Sequence, residues 1–441
     1  MRDLTGLLDD ILLETRFEVI PYGTYTADQF RRFHIKGDLA GQYIVDTAKT
    51  CVPDALCARL VEKLALELQA FINPETQRIG TGLVSLMGGA LDSAEPTITE
   101  FSRNLVRAAA MLGSAHAVQI LQDWIAGEPY HFRMKVLLTG VQCDQPLALA
   151  EGMYVEQLPK GGYPADLTPH LPRSLIESTS GAYDFFGRSV LSIDGTARPA
   201  LYRPTHAQDD QPDWNLQQVW AGGKIPCLMT DEWRQNLTEV LSIAYDQHVS
   251  WTHIWRDVGD IRAFHQSGGG YESRPFTQLG NAAINLEQQH LELARDLDVQ
   301  RHARMENGRS PEIAISRWIR SKRHGTTLTD RFIDLRIAFE SLYLPNKSRN
   351  ELRFRLALFG AWHLGADFEE RRQYFKLLKK TYDLGSVAVH TGHVDDTPET
   401  QKNLYDAQCA CRKAILNRLR ENEEPTWNEV DVALGAPTHV V

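Results

Sequence analysis

The 441-residue sequence has little that would staple, anchor or repeat a fold. Its six cysteines, at positions 51, 57, 143, 227, 409 and 411, include no CxxC pair, which supports neither a zinc ribbon nor a disulfide framework. Cys409 and Cys411, placed on one helix, point about 200° apart, which suits core packing better than a shared ligand. No run approaches the roughly 18 uncharged apolar residues of a membrane span. The opening MRDLTGLLDDILLETRFEVI carries acids inside its apolar run, unlike a signal peptide. Low-complexity tracts and short-period repeats are absent. The glycine triplet at 268–270 has no strand-then-GK[ST] context and is read as a loop near a domain boundary, not as a phosphate cradle. His248 and His253, five residues apart, do not share a helix face well enough for a metal site. These absences lead us to expect a soluble, cytoplasmic protein with no membrane association, no metal and no cofactor.

What is present is an ordinary globular composition, 43% hydrophobic and 24% charged, with a formal charge of −10. That charge argues against a general nucleic-acid binder. It is unevenly spread. Residues 311–390 hold 15 Lys and Arg against 9 Asp and Glu, a local excess of +6 that leaves −16 for the rest. A basic segment in an acidic chain is either a solvated helical face or the seat of an anionic ligand.

The length predicts two or three domains, and the hydrophobic pattern divides the chain. Residues 1–130 are expected to be mostly helical: PDALCARLVEKLALELQAFI places Leu56, Leu60, Val61, Leu64, Leu68 and Phe71 on one stripe. Residues 131–305 read as a mixed β/α region with a possible sensing or regulatory role. Its expected strands are HFRMKVLLTGV and GMYVEQLP about a turn at Asp144–Pro146, then RSVLSIDG and ARPALYRP. The polar stretch 205–214 is a loop, and DEWRQNLTEVLSIAYDQHVSWTHIWRDV a helix. Residues 306–425 read as short-connected helices of an antiparallel bundle, followed by a tail at 426–441. Ser310 is the expected N-cap of the first helix, Pro345 stops the second, and Asp367 caps a third with Glu369 and Glu370 in its first turn. The predicted fold class is therefore α+β, predominantly helical, with a mixed N-terminal region before a C-terminal bundle. On the second helix Glu340 shares a line with Ile333, Ile337 and Leu344. It is expected either to find a basic partner such as Arg353 or Arg355 or to lie at the rim of the stripe.

Three segments carry a resemblance: DRFIDLRIAFESLYL, then RFRLALFGAWHLGADFEERRQYFKLLKKTYDLGSVAVHTG, then the closing helix QKNLYDAQCACRKAILNRLR. Over roughly residues 310 to 420, about a quarter of the chain, they resemble the ApeA-like group of HEPN domains in motif, helix order and spacing. The resemblance implies a helical bundle that dimerises, and a metal-independent RNA endonuclease of a prokaryotic defence, antiviral or toxin-like system. It implies RNA as substrate and control by the N-terminal region or by an activator or antitoxin-like protein. Its active motif is an arginine, four to six residues, then a histidine. The chemistry suits the pair: the 2′-OH attacks the adjacent phosphate, a histidine moves protons near neutral pH, and an arginine holds charge on the crowded phosphate oxygens.

His390 matches the motif histidine, so the resemblance makes it the catalytic acid/base. Gly385, followed by Ser386, stands where the motif has its arginine. Losing one such donor typically lowers a rate by about 10²–10³, and glycine within a helix costs roughly 0.5–1 kcal/mol. Three readings stay open. A nearby cation, Lys380, Lys379, Arg372 or Arg355, replaces the arginine. Alternatively, the domain is a catalytically impaired RNA-binding or dimerisation scaffold. Or position 385 has been altered. Glu340, Tyr382 and Asp383 are expected to organise the site. Arg317 and His324 share the motif spacing but precede the Glu340 helix, and are read as a basic helix end that can still touch phosphates. His393 is expected to be an exposed turn residue ahead of Asp395 and Asp396 or to line the cleft one step beyond His390.

Overall fold

The structure is a computed structural model. It describes residues 2–19, 23–29, 49–85, 90–158, 189–204, 231–257, 272–273, 285–306, 310–344 and 351–421. The expected loop at 205–214, the glycines at 268–270, Cys227, Pro345 and the tail at 426–441 lie outside the described residues. Two compact units are present. The first takes residues 1–138, 143–230 and 252–274, and the second 139–142, 231–251 and 275–441. The division therefore falls at neither 130/131 nor 305/306. Residues 231–251 join the C-terminal helices.

The first unit mixes helix and sheet. Its opening residues hold α1 (Arg2–Glu14), α2 (Asp54–Glu67), α3 (Ile98–Leu112) and α4 (Ser114–Ala126), but also β1 (Arg16–Val19), β2 (Gly23–Thr26), β3 (Lys49–Cys51), β4 (Gly80–Ser85) and β5 (Ala90–Ala94). A mostly helical reading of 1–130 thus misses five short strands. Each is only three to six residues long, too few for period-2 alternation to register. The apolar stripe packs as its spacing dictates: its Leu60, Leu64 and Leu68 join Leu4, Leu8 and Phe101 in one core. Thr97 starts α3 with a reciprocal capping box, its hydroxyl accepting from the Glu100 N–H while the Glu100 carboxylate accepts from the Thr97 N–H.

Three strands, β1 flanked by β2 and β3, form a small antiparallel sheet. The larger sheet adds β6 (Tyr130–Thr139), β7 (Leu147–Ala150), β8 (Met153–Gln157), β9 (Ser189–Tyr202), β10 (Ser250–Asp257) and β11 (Glu272–Ser273), in the order β11-β10-β6-β9-β4-β5. The two strands expected after residue 188 are one: β9 runs 14 residues, with β6 along one side and β8, then β4, along the other. The turn at Asp144–Pro146 leads into β7, an extra strand that pairs with β8.

The second unit corrects one long helix. DEWRQNLTEVLSIAY is α5 (Asp231–Tyr245), but the chain breaks at Asp246, which has φ 57, and continues as β10. Trp251, Thr252, His253, Ile254 and Trp255 are all buried, so aromatic and β-branched side chains here serve a strand covered on both faces. After α6 (Gln288–Glu306) come α7 (Glu312–Lys322), α8 (Leu328–Tyr343), α9 (Leu352–Leu364), α10 (Phe368–Thr391) and α11 (Pro398–Arg420). The chain is therefore mixed α+β with a C-terminal helical region. Among the described residues no helix is long and apolar enough to cross a membrane.

Within this unit α8 packs on α7 and α10, α10 packs on α9, and α11 contacts α7, α8, α9 and α10. The shared core holds Trp318, Phe332, Phe339, Tyr343, Phe359 and Leu378. Cys411 is fully buried there, and burial pushes its thiol well above the usual range. Basic side chains close helix ends: Lys413 donates to the Leu364 carbonyl at 2.9 Å, and Arg412 to the Ile243 carbonyl at 2.6 Å. Ser310 is not an N-cap; its hydroxyl bonds the Glu312 carboxylate, and Pro311 precedes the helix without a side-chain cap. Asp367 does cap α10, accepting from the Glu370 N–H at 2.9 Å.

Candidate functional site

The expected site lies in the last two turns of α10. The helix runs 24 residues without interruption through Gly385 and ends on Gly392, whose φ of 70 is the left-handed cap conformation that favours glycine. His390 sits in the last turn with its side chain exposed, between exposed Val389 and Thr391. The Thr391 hydroxyl donates back to the Val387 carbonyl at 2.8 Å, and the His393 N–H donates to that hydroxyl oxygen at 3.2 Å, so the backbone around His390 is pinned. His393 itself is exposed and pairs with Asp395 at 3.3 Å, as a turn residue.

Gly385 faces the opposite way. It is buried, and an ideal Cβ built on it would lie 2.8 Å from the Arg336 Cβ, 3.0 Å from the Phe332 carbonyl oxygen and 3.1 Å from the Arg336 Cδ. The glycine therefore has a structural cause. It lets α10 approach the backbone of α8 more closely than any side chain would permit. The penalty for glycine in a helix is offset by that packing.

Arg336 occupies the space over this approach. Its Nε donates to Glu340 Oε1 at 2.8 Å and its Nη2 to the Tyr382 hydroxyl at 3.3 Å, and the guanidinium carbon lies 4.5 Å from the centre of the Tyr382 ring. The Glu340 partner is thus Arg336, one turn away on its own helix, and not Arg353 or Arg355. Ile333, Ile337 and Leu344 are only partly buried, so their line is the rim of α8 and not its core face. The core face is Phe332, Leu335, Phe339 and Leu342. Arg353 instead pairs with Asp383.

The cations offered as replacements for the motif arginine have contacts of their own, mostly at the surface. Lys380 pairs with Glu399 at 3.5 Å and Arg372 with Glu369 at 3.1 Å. Lys379 lies over the Phe375 ring at 5.9 Å, and Arg355 over Phe359 at 5.4 Å. On a straight helix Arg372 is about 27 Å along the axis from His390, and Lys379 and Lys380 about 15–17 Å. Gly385, and with it Arg336, is only about 7.5 Å along the axis from His390. Ser386, half-buried, lies one turn before His390 on the same side of the helix. The structure thus brings Arg336, Glu340, Tyr382 and Gly385 together, places His390 about 7.5 Å further along α10 and about 140° round its axis on the exposed face, and leaves Lys379, Lys380 and Arg372 up the helix.

Two further polar groups escaped the sequence reading. Asp334, with 2% of its side chain exposed, meets Arg317 at 2.9 Å and Arg320 at 3.4 Å, so Arg317 of the motif-like RWIRSKRH is held by a buried carboxylate. Buried Tyr343 bonds His363 Nδ1 at 2.9 Å, and His363 Nε2 donates to Glu421 Oε1 at 2.7 Å. Burial alone would raise the Glu421 carboxyl, but the bonds from His363 and Arg418 hold it below the usual carboxylate range. The signal for the first was an acid, Asp334, at a core position of α8; Glu421, just past the end of α11, gave none.

Among the described residues no three His, Cys, Asp or Glu side chains converge as metal ligands. His248 lies in the turn after α5 and His253 on β10, and burial pushes both imidazoles down to about 4. No family model, curated protein or solved structure matches the chain.

Proposed function

We propose that the C-terminal helices form a HEPN-like RNA endonuclease in which His390 moves the protons and Arg336 stands in for the motif arginine. The observation that carries this reading is the Arg336–Gly385 contact, where an arginine from α8 fills the space that a side chain at 385 would need. In the proposed reaction the 2′-OH attacks the adjacent phosphorus. The 2′-O–P bond forms and the P–O5′ bond breaks. His390 accepts the 2′-OH proton and returns it to the departing 5′-oxygen. Arg336 already uses Nε and Nη2, and the remaining N–H groups of its fork bond the phosphate oxygens. The products carry a 2′,3′-cyclic phosphate and a 5′-OH.

Exposed Val387 and Val389 beside His390 support pairing of two copies of the chain. A free ribonuclease needs control in a cytoplasmic defence or toxin-like system: the first unit or an antitoxin-like protein restrains it, or an activator switches it on. The test is incubation of the purified protein with mixed RNAs, with and without a chelator, followed by analysis of the ends. Cleavage that survives the chelator, leaves cyclic phosphates and vanishes in His390→Ala supports the reading. Identical RNA profiles for the two proteins, in the presence of candidate activators as well, remove it.

A second reading has its own observation. The Arg336 side chain is only 20% exposed and already engaged by Glu340 and Tyr382. That favours a catalytically impaired module that binds RNA or assembles copies, and its mark is RNA binding that is unchanged in His390→Ala with no cleavage by either protein.

A further inference from the structure

The turn between α7 and α8 is a second place where the second unit concentrates positive charge, on a different element from His390. Residues 317–331 carry Arg317, Arg320, Lys322, Arg323, His324 and Arg331, with Asp330 as the one acid in the span. Three of these cations are structural. Lys322 is 8% exposed and pairs with Asp246 at 3.0 Å. Arg331 donates to the carbonyls of Thr326 at 3.0 Å and Arg323 at 3.2 Å, bracing the turn from inside. Arg317 is held by buried Asp334. The side chains left facing water are Arg320, 52% exposed, with Arg323 and His324.

The construction matters more than the count. One buried carboxylate aligns two guanidinium groups a helical turn apart, which removes much of the side-chain freedom a ligand would otherwise have to quench. The braced turn then sets Arg323 and His324 beside them. Among the described residues of 317–331 no large apolar side chain is exposed. A protein partner is anchored by buried apolar or aromatic residues; the turn itself offers none among the described residues, and exposed Ile313 lies a turn ahead of Arg317 on α7. It offers one oriented fork, Arg320, beside the exposed side chains of Arg323 and His324, which suit phosphodiester oxygens taken without regard to base.

We propose that Arg320, Arg323 and His324 at the α7–α8 turn form a backbone-reading platform for the phosphates of a nucleic-acid strand, separate from the His390 site. The choice of RNA as that strand rests on the nuclease reading above. The platform holds the strand by its phosphates, so it contributes affinity and salt dependence but no sequence preference.

The test is fluorescence anisotropy of a labelled, unstructured single-stranded RNA, in a His390→Ala background so that nothing is cut. Adding Arg320→Gln and Arg323→Gln is expected to weaken binding by about tenfold at low salt and to lower the slope of log Kd against log salt by about 0.7 for each lost contact. Arg372→Gln, an exposed cation on α10, is expected to stay within about twofold. Arg323→Glu, a reversal at the exposed end of α7, gives an independent variant should the double change disturb folding, and is expected to weaken binding at least as much. Unchanged affinity and slope in both variants overturn the proposal, as does an absence of RNA binding by the parent. Competition by polyglutamate as effective per charge as competition by RNA also overturns it, by making the partner an acidic polypeptide. Salt-sensitive binding that depends on Arg320 and Arg323, found with no cleavage by the wild type, sustains the platform while the nuclease reading falls.

Discussion

The Arg336 Cβ would lie 2.8 Å from a Cβ at Gly385, so these two positions of α8 and α10 cannot both carry side chains without the helices moving apart. The missing motif arginine and the close helix crossing are one fact. An arginine at 385 would displace the only arginine that the fold already presents at that crossing among the described residues.

The first consequence concerns Gly385→Ala. Helix propensity alone predicts a gain of roughly 0.5–1 kcal/mol. Overpacking against Arg336 and the Phe332 carbonyl costs typically 1–3 kcal/mol and should win, because one of the atoms met is backbone oxygen. Urea denaturation is expected to show net destabilisation of up to about 2 kcal/mol. Gly385→Arg is expected to lose more stability and gain no nuclease activity, and a melting temperature at or above wild type in either variant would remove the packing argument.

Acid sensitivity follows from His248 and His253. Their folded values, about 4, lie below the ordinary 6.5, so the unfolded chain binds more protons between those values. Their stabilising contribution is complete above about pH 6.5 and is lost as pH falls toward 4, on the order of 3 kcal/mol for each histidine. The two belong to different units, so acid should weaken both units. Stability measured from pH 7.5 to 4.5 should slope downward, and His253→Gln should flatten the slope for the first unit.

The Tyr343–His363–Glu421 chain makes its own prediction. The His363 side chain is 6% exposed, and Glu421→Ala leaves its Nε2 hydrogen without the acceptor it has now. Removing the acceptor of a buried donor costs about 1–3 kcal/mol. The Glu421 carboxyl is held below its ordinary value, so its contribution is present above about pH 4.5 and fades as pH falls through the folded value. Equal denaturation midpoints for Glu421→Ala and wild type at pH 7 would show that the chain contributes nothing.

How much of this was legible in the sequence depends on the range of the forces involved. The helices after residue 310 were plain because caps such as Asp367 and apolar periodicity act within a few residues. β10 was missed because WTHIWRD follows a real helix, and its burial on both faces erases the alternation that marks a strand. Glu340 combines both expectations, a place at the rim of α8 and a basic partner; that partner is Arg336, four residues before it at the spacing where helical ion pairs form, not a residue of the next helix. Gly385 was noticed as a gap in a motif. Its reason lies on another helix 49 residues away, where no local pattern reaches.

The most direct test of the account is the cleavage rate of a labelled RNA by wild type, Arg336→Gln, His390→Ala and the double variant, each checked for folding by circular dichroism. If Arg336 and His390 act on one phosphate, Arg336→Gln should lower the rate by about 10²–10³, His390→Ala by at least as much, and the double variant by little more than the worse single change. Full activity in Arg336→Gln, alongside loss in His390→Ala, would contradict the assignment of Arg336 as the replacement for the motif arginine.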